Sequence, residues 1–166
     1  QRFVYKLDWN YKLSNRGAGG GGRGGFEFFP EDGNHLFTLS QWYPRLCVYS
    51  DFQGWQNHQF TGRGEFALTF GNFKVAMTVP ADHVVMSTGE CQNYAAVLTP
   101  AQMGRWAKAQ QSSEPIEVVT LAEAKEAEKN GPSIIAAGSP KKKTWIFKAD
   151  NVRDFAWGTS RKFIWD

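Results

Sequence analysis

Cysteine, histidine and methionine are scarce in this sequence, with two, three and three copies in 166 residues. Two cysteines, Cys47 and Cys91, could close one bridge but supply neither a disulfide framework nor metal-ligand spacing, so they read as two buried thiols. His35, His58 and His83 stand far apart, and no His-Glu-x-x-His helix or other close ligand pair accompanies them, so no structural or catalytic zinc site is expected in this chain. A Gly-x-Ser-x-Gly elbow is also missing, and nothing local marks either cysteine as a nucleophile.

Charge of one sign is in short supply too. The formal net charge is +3, and the positive residues are scattered apart from Lys141, Lys142 and Lys143, which argues against a dedicated nucleic-acid binder. No run approaches the roughly 18 apolar residues of a membrane-spanning helix, and the N-terminus lacks the regions of a signal peptide. No membrane span is expected.

Aromatic residues are plentiful. Thirteen Phe, seven Trp and five Tyr occur mostly in short runs separated by Gly, Asn, Asp and Pro, a pattern that favours strands. Phe3, Tyr5, Leu7, Trp9, Tyr11 and Leu13 alternate with period two and predict one long half-buried strand. A glycine tract from Gly17 to Gly25 follows, then strand-like Phe26–Phe29, a turn at 30–34 and a strand from Leu36 to Tyr43. Leu46–Tyr49 reads as a short extended piece and 51–64 as a structured loop. Glu65–Phe70 and Phe73–Val79 flank Gly71-Asn72, which is hairpin chemistry, and Val84–Met86 is a further strand.

The character then changes. Thr99 can cap a helix with Pro100 at its first position, running on to Gln111, and Thr120 can cap a second from Leu121 to Lys129. Between them Ile116–Val119 is strand-like, 130–132 ends the second helix, and 133–143 reads as a loop. The span 99–143 is therefore expected to be a helical insertion, after which strands resume at Trp145–Ala149 and Arg153–Trp157. The expected fold is a single mainly β domain over 1–166, an antiparallel β-sandwich or saddle-shaped sheet with a small helical insertion. Both ends, strand-like at Arg2–Trp9 and apolar at Ile164-Trp165, read as cuts inside a longer protein.

Three motifs carry weaker signals. Gly19 to Gly24 formally matches G-x-G-x-x-G, but strand-like residues follow where a dinucleotide site needs a helix. Gly22-Arg23-Gly24-Gly25 is a single RGG-like copy and reads as flexible loop. Trp42, Tyr43, Trp55 and Phe60 could line a groove for peptide or sugar, or fill the core.

Four segments resemble one family in order along the chain: Ser40-Gln41-Trp42-Tyr43-Pro44-Arg45, Gly62-Arg63-Gly64-Glu65-Phe66, the stretch from Val79 to Glu90, and the stretch from Phe147 to Trp157. Together they resemble the N-terminal β domain of bacterial M1-family zinc aminopeptidases. The resemblance covers roughly residues 26–98 and 144–166 and leaves the 99–143 span without a counterpart. It implies a non-catalytic domain that forms a wall of the substrate cleft, packs on its own catalytic domain, and contacts a peptide substrate. Zinc would belong to that further domain, and the compartment would be periplasmic or secreted. The resemblance also makes Gln41 the candidate acceptor for the substrate α-amine. The alternative is a free-standing β-sandwich binding module for carbohydrate or protein, with Trp42 and Trp55 as its platform.

Overall fold

A computed structural model describes residues 3–17, 19, 22–64, 67–129 and 141–166. The strands are β1 (Gly25–Phe29), β2 (Asn34–Leu39), β3 (Tyr49–Ser50), β4 (Gly54–Trp55), β5 (Gly71–Pro80), β6 (Val84–Ser87), β7 (Glu90–Cys91), β8 (Lys142–Val152) and β9 (Trp157–Ser160). Three helices, α1 (Tyr94–Val97), α2 (Pro100–Ala109) and α3 (Leu121–Glu128), lie between β7 and β8. The fold is mainly β, with antiparallel sheets and a small helical part.

One sheet has the order β1-β2-β9-β6 and another the order β5-β8-β7, with β3 and β4 forming a separate two-stranded piece. Both larger sheets feed one core. In β5 the residues Phe73, Val75, Met77 and Val79 turn inward while Lys74, Ala76 and Thr78 face out. Opposite them β8 turns Trp145, Phe147 and Ala149 inward, in the register Met77 to Trp145, Val75 to Phe147 and Phe73 to Ala149. Val84 and Val85 of β6, Phe155 from the β8–β9 connection, and Val118 and Val119 close the same cluster. Burying a set of this size supplies the main stabilising term, each large side chain contributing about 1.5–3 kcal/mol before ordering costs.

The helices follow the sequence signals closely. Thr99 accepts from the Gln102 amide and Gln102 reciprocates on the Thr99 amide, while Thr120 and Glu123 do the same for α3. Arg105 of α2 ties the pair together, reaching Glu123 at 2.5 Å and the Val118 carbonyl at 2.9 Å. The short α1 carries no side-chain cap bond, and no capping pattern announced it.

Several expected strands are corrected. Residues 3–13 form no ladder among the described residues, and Phe3, Tyr5, Leu7, Trp9 and Tyr11 are all exposed. Alternation supplies a face, but no neighbouring strand meets it; the arm joins the body through the Asn15–Phe26 bridge and a Trp9 Nε1 bond of 3.1 Å to the Trp42 carbonyl. The hairpin across Gly71-Asn72 does not form, because β5 takes β8 as its partner instead. Gly71-Asn72 becomes a bulge in that ladder, with Asn72 Oδ1 accepting from the Asn151 amide at 2.8 Å. Residues 65 and 66 lie outside the described set, and 67–70 are not strand. The strand expected over 36–43 stops at Leu39, where Gln41 takes a left-handed conformation.

Ile116–Val119 gives no strand but a single antiparallel bridge, Val119 to Trp165. Arg153–Ala156 is a connection, with β9 starting only at Trp157. The helix end and loop expected at 130–140 lie outside the described residues, and β8 begins at Lys142, earlier than the pattern predicts.

A part-buried ion pair pins the β5–β6 turn to the C-terminal segment. Arg161 Nε lies 2.6 Å from Asp82 Oδ2, with the two side chains 8% and 23% exposed. Arg161→Ala is expected to cost about 2–3 kcal/mol, because it removes a part-buried pair and takes this partner from the Asp82 carboxylate. A urea titration checks this, and the exposed Lys129–Glu126 pair is the control, since Lys129→Ala should leave the midpoint unmoved.

Candidate functional site

A cleft of about 830 Å³ has Gln41, Tyr43, Arg45, Phe60, Arg63 and Asp154 on its rim and walls. Its geometry starts at the end of β2. Leu39 pairs with Trp157 and is buried, so the chain must leave the sheet immediately afterwards. It does so through Gln41, whose φ of 53° lies in a region that non-glycine residues enter at a cost of about 1–3 kcal/mol. That turn leaves Gln41 exposed on the cleft while Trp42 points back toward the core, its Nε1 donating to the Phe155 carbonyl at 2.9 Å.

Tyr43 and Arg45 then converge on one carboxylate. The Tyr43 hydroxyl donates to Asp154 Oδ1 at 2.8 Å, the Phe155 amide donates to the same oxygen at 2.8 Å, and Arg45 Nη1 stands 3.3 Å from it. The Arg45 guanidinium also lies 5.7 Å from the centre of the Tyr43 ring. Burial, followed by the bond to Asp154, pushes the Tyr43 phenol well above its ordinary value. Tyr43 therefore stays a neutral donor, and with Arg45 and Asp154 it forms a fixed polar wall.

The remaining candidates are dispersed. Cys47 is a half-buried free thiol lining the cleft, and Cys91 is a buried free thiol whose Sγ lies 3.4 Å from Asn93 Oδ1. His58 is exposed on the cleft, whereas His35 packs among Phe26, Phe28 and Phe37, and His83 is buried with Nδ1 3.2 Å from Thr159 Oγ1. Among the described residues no three His, Cys, Asp or Glu side chains gather where they could hold a metal ion. Residues 20 and 21 of the G-x-G-x-x-G match lie outside the described residues, and the element that follows the match is a strand, β1.

Trp42 is half-buried and packs on Trp9, Tyr43 and Trp157, while Trp55 is exposed on β4 against Tyr49. The two tryptophans expected to form one platform thus belong to different environments. Asp154 was not singled out as a site residue. Only its place in the segment from Phe147 to Trp157 hinted at it, since it lies 111 positions from the tyrosine it holds. No helix among the described residues is long and apolar enough to cross a membrane. Searches against protein-family models, curated proteins and solved structures return no match to this chain.

Proposed function

We propose that this chain is the non-catalytic N-terminal β domain of an M1-like zinc aminopeptidase, forming one wall of the cleft that receives the N-terminus of a peptide. The observation that carries the reading is a convergence. Residues from three separate segments of the family resemblance, namely Gln41, Tyr43 and Arg45, then Arg63 and Gly64, then Asp154, line one cleft. Strained non-glycine backbone at such a place favours a positioned side chain over an ordinary turn, and Gln41 presents an amide oxygen suited to a substrate ammonium. Zinc, the activated water and the general base belong to the catalytic domain in this reading, and the present residues orient and confine the peptide.

The test uses the full-length protein that carries this chain, with aminoacyl p-nitroanilides as substrates. Activity is expected and should vanish on treatment with a zinc chelator. Gln41→Gly removes the side chain and relieves the φ strain, so KM should rise about tenfold, equivalent to ~1.4 kcal/mol, without loss of stability. An inactive protein, or chelator-resistant activity, would sink the proposal. Tyr49 and Trp55, exposed and in edge contact at 5.2 Å, favour the second reading, a free-standing carbohydrate- or protein-binding module.

A further inference from the structure

A second, smaller cavity of about 250 Å³, open to solvent on one side, lies between the β5–β6 turn, the start of β8 and the helices. Its lining is mixed: Val84, Val97, Leu98, Val119 and Trp145 form an apolar side, and Asp82, Thr99, Gln102, Glu123, Lys143 and Arg161 a polar one. Lys143 owes its place to register. It pairs with Val79 and shares the inward face of β8 with Trp145, Phe147 and Ala149, so alternation drives an amine toward the core. Its Nζ donates to the Val97 carbonyl at 3.2 Å and stands 5.0 Å from the centre of the Trp145 ring.

The acidic groups around it are engaged elsewhere. Asp82 is paired with Arg161 at 2.6 Å, and Glu123 holds Arg105 and caps α3. Lys143 is therefore an amine beside the apolar side of the cavity, and among the described residues it makes no ion pair of its own. We propose that Lys143 is a selectively reactive amine and that the cavity beside it takes small aldehydes with a short apolar tail, retaining them as an imine. The neutral Nζ adds its lone pair to the carbonyl carbon, the carbinolamine loses one water, and the C=N bond remains; no oxidant or reductant is consumed.

Burial pushes the Lys143 amine down to about 8, with the nearby Asp82 charge pulling it partly back. At pH 8 about half of such an amine is neutral, against about 0.3% for one at the ordinary 10.5. Lower basicity takes back part of that advantage. Lys162 shows the contrary case, its amine held up by bonds to Asp32 and Glu128.

The experiment treats the full chain at pH 8 with limiting butanal and sodium cyanoborohydride, which traps the imine as a secondary amine, and maps the product by peptide mass spectrometry. Lys141 and Lys142 are exposed neighbours on the same stretch and serve as internal references. Lys143 is expected to label at least about tenfold faster than either, with a preference that shrinks for formaldehyde and disappears in urea. Labelling of Lys143 no faster than Lys141 and Lys142 would overturn the proposal. Equal preference for butanal and formaldehyde would remove the cavity from it.

Discussion

Gly89→Ala is expected to destabilise the fold by about 3–5 kcal/mol, read as a large drop in the urea midpoint. Gly89 sits between β6 and β7 at a φ of 84°, already unfavourable for a side chain. An added Cβ would stand 2.7 Å from the Lys148 carbonyl carbon and nearer still to its oxygen. Those are backbone atoms in the middle of β8, so no rotamer change relieves the clash. Either β8 moves or the Glu90–Lys148 and Cys91–Phe147 pairs open, and Cys91 belongs to the core cluster. Gly33→Ala is the control. It has a φ of 65° but nothing within 4 Å of an added Cβ, so only the conformational cost of about 1 kcal/mol should appear. Equal losses in the two variants would show that close packing on Lys148 contributes nothing.

Stability is expected to fall by about 3 kcal/mol between pH 6.5 and pH 4, with His83 as the main cause. His83 is 1% exposed, and burial pushes its imidazole down to about 4, with Asp82 opposing and Arg161, Lys143 and His35 reinforcing the shift. The unfolded chain takes up this proton near pH 6.5 while the folded chain does so only near 4. The unfolded state therefore binds more protons throughout that window, and the stabilisation present above pH 6.5 is lost as pH falls through it. His35, also lowered by burial and then by Arg161, adds a smaller slope of the same sign. Asp32, held low by its bond to Lys162, and Glu123, held low against burial by Thr120 and Arg105, add slope of the same sign at the acid end of the window, where unfolded carboxyls begin to take up protons. Unfolding free energies measured from pH 4 to 7 for the native chain and for His83→Gln check this. The variant should start less stable at pH 7 and show a much flatter profile; an unchanged slope would acquit His83.

The site was only partly legible. Gln41 was marked by resemblance, and it does line the cleft, yet nothing in the residue itself announced a left-handed backbone. Tyr43 and Arg45 sit two and four positions away, but the carboxylate that joins them comes from Asp154. A Tyr–Asp bond across 111 positions leaves no local pattern, because it depends on how the β2 exit and the β8–β9 connection are brought side by side. Trp42 was open to either of two places. Its aromatic character suits a groove as well as a core, and its packing on Trp157 and the bond from its indole nitrogen to the Phe155 carbonyl set it against the core.

What the chain's order of residues determined by itself is everything set within one turn or one pleat. The capped helices at Thr99 and Thr120, the strand over Phe73–Val79 and the mainly β character depend on neighbours a few positions apart, and they formed where expected. Tertiary structure alone decided which strands pair. Residues 3–13 have a cleaner alternation than β5, yet they remain an exposed arm while β5 finds β8 seventy residues away. The physical reason is that a strand's stability lies in its partner's hydrogen bonds and in the face it covers, and neither is a property of the strand's own sequence.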